Sequence, residues 1–323
     1  MSSEQPLRIA WIGFHLEGIP ALEALLESGV RLVGVITLKE EALARRSAGA
    51  DYASVVKRFG VPLHTVADIN SPEAVELLRQ MAPDVVFVIG WSQIVRPEAL
   101  NTARIGMIGA HASLLPHNRG SAPINWAIIH GESLTGNSLI WLADSVDAGD
   151  LIDQQEFRIT PYDTCQTLYE RVAAANREMI LRVTQRLLAG ERPGRPQAHT
   201  DEPVLPRRRP GDGLVNWTAP SCAVYDFVRA LTQPYPGAFS YLDGKRWQIW
   251  SCALLPGALG DPAAQAGQAL GPVCSPVQAA CGQLVQCGRG TALLLEVEGP
   301  DGELLRGSAL ADCRWEGKVW RNE

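Results

Sequence analysis

Read from the N-terminus, short apolar runs alternate with stretches whose apolar residues recur at helical spacing. Residues 7–14 (LRIAWIGF) form a nearly continuous apolar run, the mark of a strand buried on both faces. After a Gly-containing turn, residues 19–27 carry a helical period; residues 31–37 (RLVGVIT) then predict a second buried strand and 50–59 a second helix. Ser71 followed by Pro72 supplies an N-cap and a first-turn residue for a helix through Met81, which feeds an apolar strand over 84–89. A short helix near Pro97, a strand over 106–110, a helix over 122–130, a strand over 137–142 and a long helix over 162–189 complete the series. This rhythm predicts an α/β fold: a doubly wound, mainly parallel, Rossmann-like sheet with helices on both faces and ligands beyond the carboxyl ends of its strands.

The pattern changes at residues 190–210 (GERPGRPQAHTDEPVLPRRRP), where Gly, Pro and Arg replace the apolar period. Such a composition offers little to bury and predicts a linker, with one domain over 1–205 and a second over 206–323. Beyond it, residues 221–231 read as a helix, and short strand-like runs separated by Gly-rich turns predict a small β-barrel.

At 323 residues the chain is long enough for two domains with cores of their own. Its net charge of −6 argues against a large nucleic-acid footprint, and residues 206–323 balance 11 Lys and Arg against 11 Asp and Glu. No run of eighteen uncharged apolar residues is present, and the segment MSSEQPLRIAWIGF has neither a basic region nor a cleavage site, so a cytoplasmic protein with no membrane partner is expected. The seven cysteines form no C-x-x-C pair and read as reduced thiols. The six histidines lack zinc-binding spacing, so no metal is expected, and the first turn, GFHLEG, lacks the G-x-G-x-x-G pattern of a dinucleotide site.

Candidate chemistry concentrates in residues 109–150. His111 follows directly on a buried strand, and Asp144 and Asp147 lie in a Gly-containing loop after the next one. Both loops are expected at the same end of the sheet. A histidine beside a carboxylate can move protons near neutral pH, because imidazole titrates there and the acid fixes its tautomer. Spacing alone leaves a structural histidine and solvated loop acids as open alternatives.

The string H-x-SLLP-x-x-RG-x-AP-I from His111 to Ile124, then G-E-x-x-TG from Gly131 to Gly136 and VDAGD from Val146 to Asp150, resembles the folate-dependent formyltransferase family. That family includes methionyl-tRNA, amino-sugar and glycinamide ribonucleotide formyltransferases. The likeness continues through residues 207–252, which are similar to the C-terminal domain of bacterial amino-arabinose and tRNA formyltransferases. It implies transfer of a formyl group from 10-formyltetrahydrofolate to an amine, with His111 and Asp147 as catalytic residues.

The same resemblance places pterin contacts at Trp91, Gln93, Ile94 and Val95 and, on the other wall, at Ala143, Asp144, Ser145 and Val146. A departure stands beside these matches: the family has an Asn two residues before the histidine, and here that position is Gly109. Three explanations follow, namely a replacement donor, the backbone N–H near Gly109 with ordered water, or loss of the reaction. Asn137 is the candidate replacement, against the alternative of an ordinary polar residue at a strand end. The segment matching the family's tRNA-gripping insertion is short and mixed in charge, so a small-molecule amine is expected, best a nucleotide-linked amino sugar. Arg119 would meet its phosphate or carboxylate, or else serve the loop structurally. A tRNA formyltransferase of reduced charge and a folate-binding relative without the reaction are the alternatives, and a homodimer is left open.

Overall fold

The structure, a computed structural model, describes residues 6–255 and 260–322. They fall into two compact units that interleave along the chain. The first comprises the described residues up to Pro123 with Leu134–Arg158 and Leu168–Pro206; the second comprises Ile124–Ser133, Ile159–Thr167 and the described residues from Arg207 onward.

The first unit is built on seven strands: β1 (Ile9–Ile12), β2 (Leu32–Leu38), β3 (Leu63–Val66), β4 (Val85–Val88), β5 (Gly106–His111), β6 (Leu134–Trp141) and β7 (Leu151–Arg158). Their order in the sheet is β3-β2-β1-β4-β5-β6-β7. From β3 to β5 every pairing is parallel, while β6 and β7 run antiparallel to their neighbours. The chain progresses outward from β1 through β2 to β3 and then returns to β4 on the other side, which makes the crevice between β1 and β4 the topological switch point.

Helices α1 (Ile19–Glu27), α2 (Glu40–Leu43), α3 (Tyr52–Phe59), α4 (Pro72–Met81), α5 (Pro97–Leu100), α6 (Pro123–Ile129) and α7 (Cys165–Leu188) alternate with or follow these strands. Local signals set their ends. Ser71 Oγ accepts from the Ala74 N–H at 3.2 Å to open α4, and Asp51 accepts from the Ser54 N–H at 3.0 Å to open α3, which closes on Gly60 in the left-handed region. One face of the sheet buries Trp11, Phe87 and Leu139 against α1, α3 and α7; the other buries Ile12, Ile36 and Val88 against α4 and α5.

In the second unit, α8 (Ser221–Leu231) precedes a six-stranded antiparallel sheet of β8 (Ala238–Leu242), β9 (Lys245–Leu254), β10 (Ala269–Val273), β11 (Gly282–Gln286), β12 (Thr291–Glu298) and β13 (Leu304–Arg306), followed by α9 (Ser308–Ala311). The open edges β8 and β10 are bridged by the last described residues. Arg321 exchanges backbone hydrogen bonds with Tyr241, the Trp320 N–H donates to the Gly267 carbonyl, and the Ala269 N–H donates to that of Lys318. A terminal segment therefore closes the expected small barrel and removes its unpaired edges. Trp217, Trp247, Trp315 and Trp320 pack together beneath it, with ring centroids 5.0–6.4 Å apart.

Candidate active site

The site begins with a register. His111 on β5 pairs with Ser138 on β6, and Ile108 pairs with Trp141. Because β6 is antiparallel, it ends beside the start of β5, not beside its carboxyl end. The expectation that the loops after both strands emerge together is therefore corrected: the 142–150 loop has to fold back over β5 to reach His111. It does so. Asp147 Oδ2 stands 3.5 Å from His111 Nδ1, and the same oxygen accepts a hydrogen bond from the Gly120 N–H at 2.9 Å.

Two local features bend this loop. Asp147 adopts φ +50°, a region that Asp tolerates better than most residues. At Gly149 a Cβ would collide with the Trp141 carbonyl, so the turn back into β7 needs glycine there. The histidine is fixed from its other side: Nε2 lies 2.8 Å from the Asn118 carbonyl oxygen, which can only accept. The neutral ring therefore carries its proton on Nε2, and Nδ1, facing Asp147, is the nitrogen that can take up a second one. His111 is buried and Asp147 is about one-fifth exposed, so the carboxylate is the member of the pair that meets solvent.

Asn137 does not join them. Successive strand residues point to opposite faces, so Asn137 lies opposite Ser138 and His111; it is fully buried and its Nδ2 donates to Asn176 Oδ1 of α7 at 2.6 Å. This removes it from the role of replacement donor. Gly109 is flanked by Leu142: a Cβ at 109 would come within 2.5 Å of Leu142 Cδ2. Composition could not have revealed that neighbour, because it depends on the loop folding back.

The other candidates divide. Gln93 is engaged structurally, its side chain accepting from the Ile69 N–H at 2.9 Å and donating to the Ala67 carbonyl at 2.8 Å. Val95 is buried in the core around α4 and α5. Trp91 packs edge-on to Phe14, with its buried Nε1 unpartnered, whereas Ile94 is 66% exposed. On the other loop Ala143, Asp144, Ser145 and Val146 are all exposed, and the backbones of Ala143, Asp144 and Val146 make no hydrogen bond among the described residues. Arg119 is half-buried, with one long contact of 3.5 Å to the Thr200 carbonyl, an unpartnered Nε and no carboxylate partner among the described residues.

A second titratable pair occupies the switch point. His15 and Glu17 follow β1 and sit against Gly90 at the end of β4. His15 Nδ1 accepts from the Glu17 N–H at 3.4 Å and lies 3.5 Å from the Glu17 carboxylate, while Tyr52 donates to the His15 carbonyl. Burial pushes the Glu17 carboxyl up to about 7 and the His15 imidazole down to about 4. Both are therefore biased toward their neutral forms. Among the described residues no group of His, Cys, Asp and Glu could hold a metal ion, and no helix is long and apolar enough to cross a membrane.

An open α/β sheet with a His–Asp pair beneath a returning loop near its strand ends, followed by a closed antiparallel domain, defines a two-domain protein with a candidate acid–base site. Residues 13–184 match the formyl transferase family model and residues 208–313 match that of the formyl transferase C-terminal domain, so the chain belongs to the formyl transferase family. Among solved structures it is similar to WlaRD, a sugar 3N-formyl transferase crystallised with dTDP and 5-N-formyl-THF (TM-score 0.63, 15% identity, 90% of this chain and 97% of that one). It is similar also to an N-formyltransferase from Helicobacter canadensis in complex with folinic acid and dTDP-3-aminofucose (0.64, 15%, 89% and 98%). A third likeness is to HypX from Aquifex aeolicus in complex with tetrahydrofolic acid (0.64, 16%), where 94% of this chain spans 46% of that one. At these identities the likeness is one of fold.

Proposed function

We propose that this protein transfers a formyl group from 10-formyltetrahydrofolate to the primary amine of a small molecule, best a nucleotide-linked amino sugar, with the chemistry in residues 1–205. The observation that carries the reading is the His111–Asp147 pair, held at 3.5 Å by the Gly120 N–H on one side and the Asn118 carbonyl on the other.

The donor supplies a formyl carbon on N10, and moving it to an amine transfers a proton from that amine to the departing nitrogen. Asp147 Oδ2 is engaged by Gly120 and faces the imidazole, and Oδ1 has no donor among the described residues, so Oδ1 is the position that receives the amine proton. His111 Nδ1 shares that proton, since Nε2–H is already committed to Asn118. A flat heterocycle fits the remaining surface: Ile94 and Val146 offer exposed apolar side chains, and the unbonded backbones of Ala143, Asp144 and Val146 offer donors and acceptors. Arg119, with no carboxylate partner among the described residues, suits an anionic group on the acceptor. The two sugar N-formyltransferases match nearly their whole length to this chain, and their acceptors support the amino-sugar assignment.

Gly109 favours a second reading, a folate-binding relative that has lost the reaction, because no side-chain amide stands where the family has one. Incubation with 10-formyltetrahydrofolate and a panel of nucleotide-linked amino sugars, following tetrahydrofolate release, tests both. Turnover that falls by about 10² or more in Asp147→Asn and His111→Ala, with folding retained, is the expected result. Folate binding without turnover on any amine selects the second reading.

A further inference from the structure

We propose that Gln197 is the positioning residue that holds Asp147 in its working place; the inference rests on the formyl-transfer reading above. Gln197 lies in the segment whose composition reads as a linker. In the structure residues 193–205 form a strap bonded to the same unit. Arg195 exchanges backbone hydrogen bonds with Leu151 at 2.7 and 2.9 Å, and Trp141 Nε1 donates to the Pro193 carbonyl at 2.6 Å. At the far end the Leu205 N–H donates to the Arg119 carbonyl at 2.7 Å, and the Ser121 N–H donates to that of Leu205 at 3.1 Å.

Between these anchors Gln197 Nε2 donates to the carbonyls of both Asp147, at 2.8 Å, and Gly149, at 2.7 Å. One amide group thus grips both ends of the turn that carries the carboxylate. The turn needs it, because Asp147 sits at positive φ, and a non-glycine residue persists there only where its surroundings over-determine it. The strap also fixes the other fastener. Gly120, whose N–H binds Asp147 Oδ2, lies between Arg119 and Ser121, the two residues that Leu205 holds. Backbone and side chain of Asp147 are therefore secured through one segment, and Gln197 is the only side chain of that segment that bonds to residues 142–150 among the described residues.

The test compares Gln197→Ala and Gln197→Glu, which keeps the shape but loses the donors when ionised, with wild type and with His199→Ala, an exposed neighbour on the same strap. For each, kcat and the KM for 10-formyltetrahydrofolate are measured alongside amide hydrogen exchange. Both Gln197 variants should lose tenfold or more in kcat with KM within about threefold, with faster exchange confined to residues 142–150, and His199→Ala should match wild type. An unchanged kcat would overturn the proposal. So would a general loss of protection with kcat and KM moving together, which marks a merely structural residue. If wild type forms no product with any amine, the functional reading fails by itself; the exchange data then decide the positioning claim, and unaltered exchange at 142–150 in both variants refutes it.

Discussion

Leu142 covers the face of Gly109: a Cβ built on the glycine would approach Leu142 Cδ2 to 2.5 Å and Cγ to 3.3 Å. The absent side chain and the returning loop thus share one space. Gly109→Asn alone should overpack this spot and lower stability by about 1–3 kcal/mol, and Leu142→Ala in the same chain should recover most of it. Urea denaturation of the two variants checks this. If the family amide acts on the developing oxyanion, the double variant should also exceed Leu142→Ala in kcat by tenfold or more, within the roughly 10²-fold that one such donor supplies.

Asn137 offers a contrast between stability and activity. Its Nδ2 donates to Asn176 Oδ1, and Asn176 Nδ2 lies 3.4 Å from the Glu17 carbonyl, all on the sheet face away from His111. Asn137→Ala leaves a buried acceptor unpaired, which should lower unfolding stability by about 1–3 kcal/mol. Formyl transfer should stay within a few-fold of wild type. A loss of a hundredfold in kcat at unchanged folding would return Asn137 to the chemistry.

His15 and Glu17 predict a compensated pH profile. Burial raises the folded Glu17 pKa from 4.5 to about 7, so its stabilising contribution is complete below pH 4.5 and is lost as pH rises through about 7. The folded His15 pKa falls from 6.5 to about 4, so its contribution is present above pH 6.5 and is lost as pH drops through about 4. Between pH 4.5 and 6.5 the two slopes oppose and largely cancel. Glu17→Gln should remove one of them: the variant should be more stable than wild type at pH 8, by up to about 3 kcal/mol, and should lose stability on acidification from pH 6.5 to 4.5. Equal stability of the two proteins at pH 8 would show that the carboxyl is not held neutral.

Much of the fold is legible in the chain because burial imposes a period. Residues 19–27 and 72–81 read as helices and form α1 and α4 over the same bounds, since Pro20, Ser71 and Pro72 mark the starts locally. Strand β7 (LIDQQEFR) escapes such a reading. It is an edge strand whose polar and charged residues are only partly buried, so it carries no apolar run. Residues 190–205 mislead for the opposite reason: Pro, Gly and Arg signal a solvated linker, yet their backbone groups and one glutamine amide carry the contacts, and backbone bonding leaves no trace in composition.

The sequence by itself determined the alternation of strands and helices, because burial writes it in local period, and its contiguous motifs supplied the family resemblance that implies His111 and Asp147 act together. Tertiary structure alone decided that β6 runs antiparallel, that the 142–150 loop therefore turns back over β5, that Leu142 rather than an amide lies beside residue 109, and that Asn137 faces away from His111. Those outcomes depend on which strand lies next to which and in what register, and a register shift of one residue exchanges the two faces of a sheet without altering any local pattern.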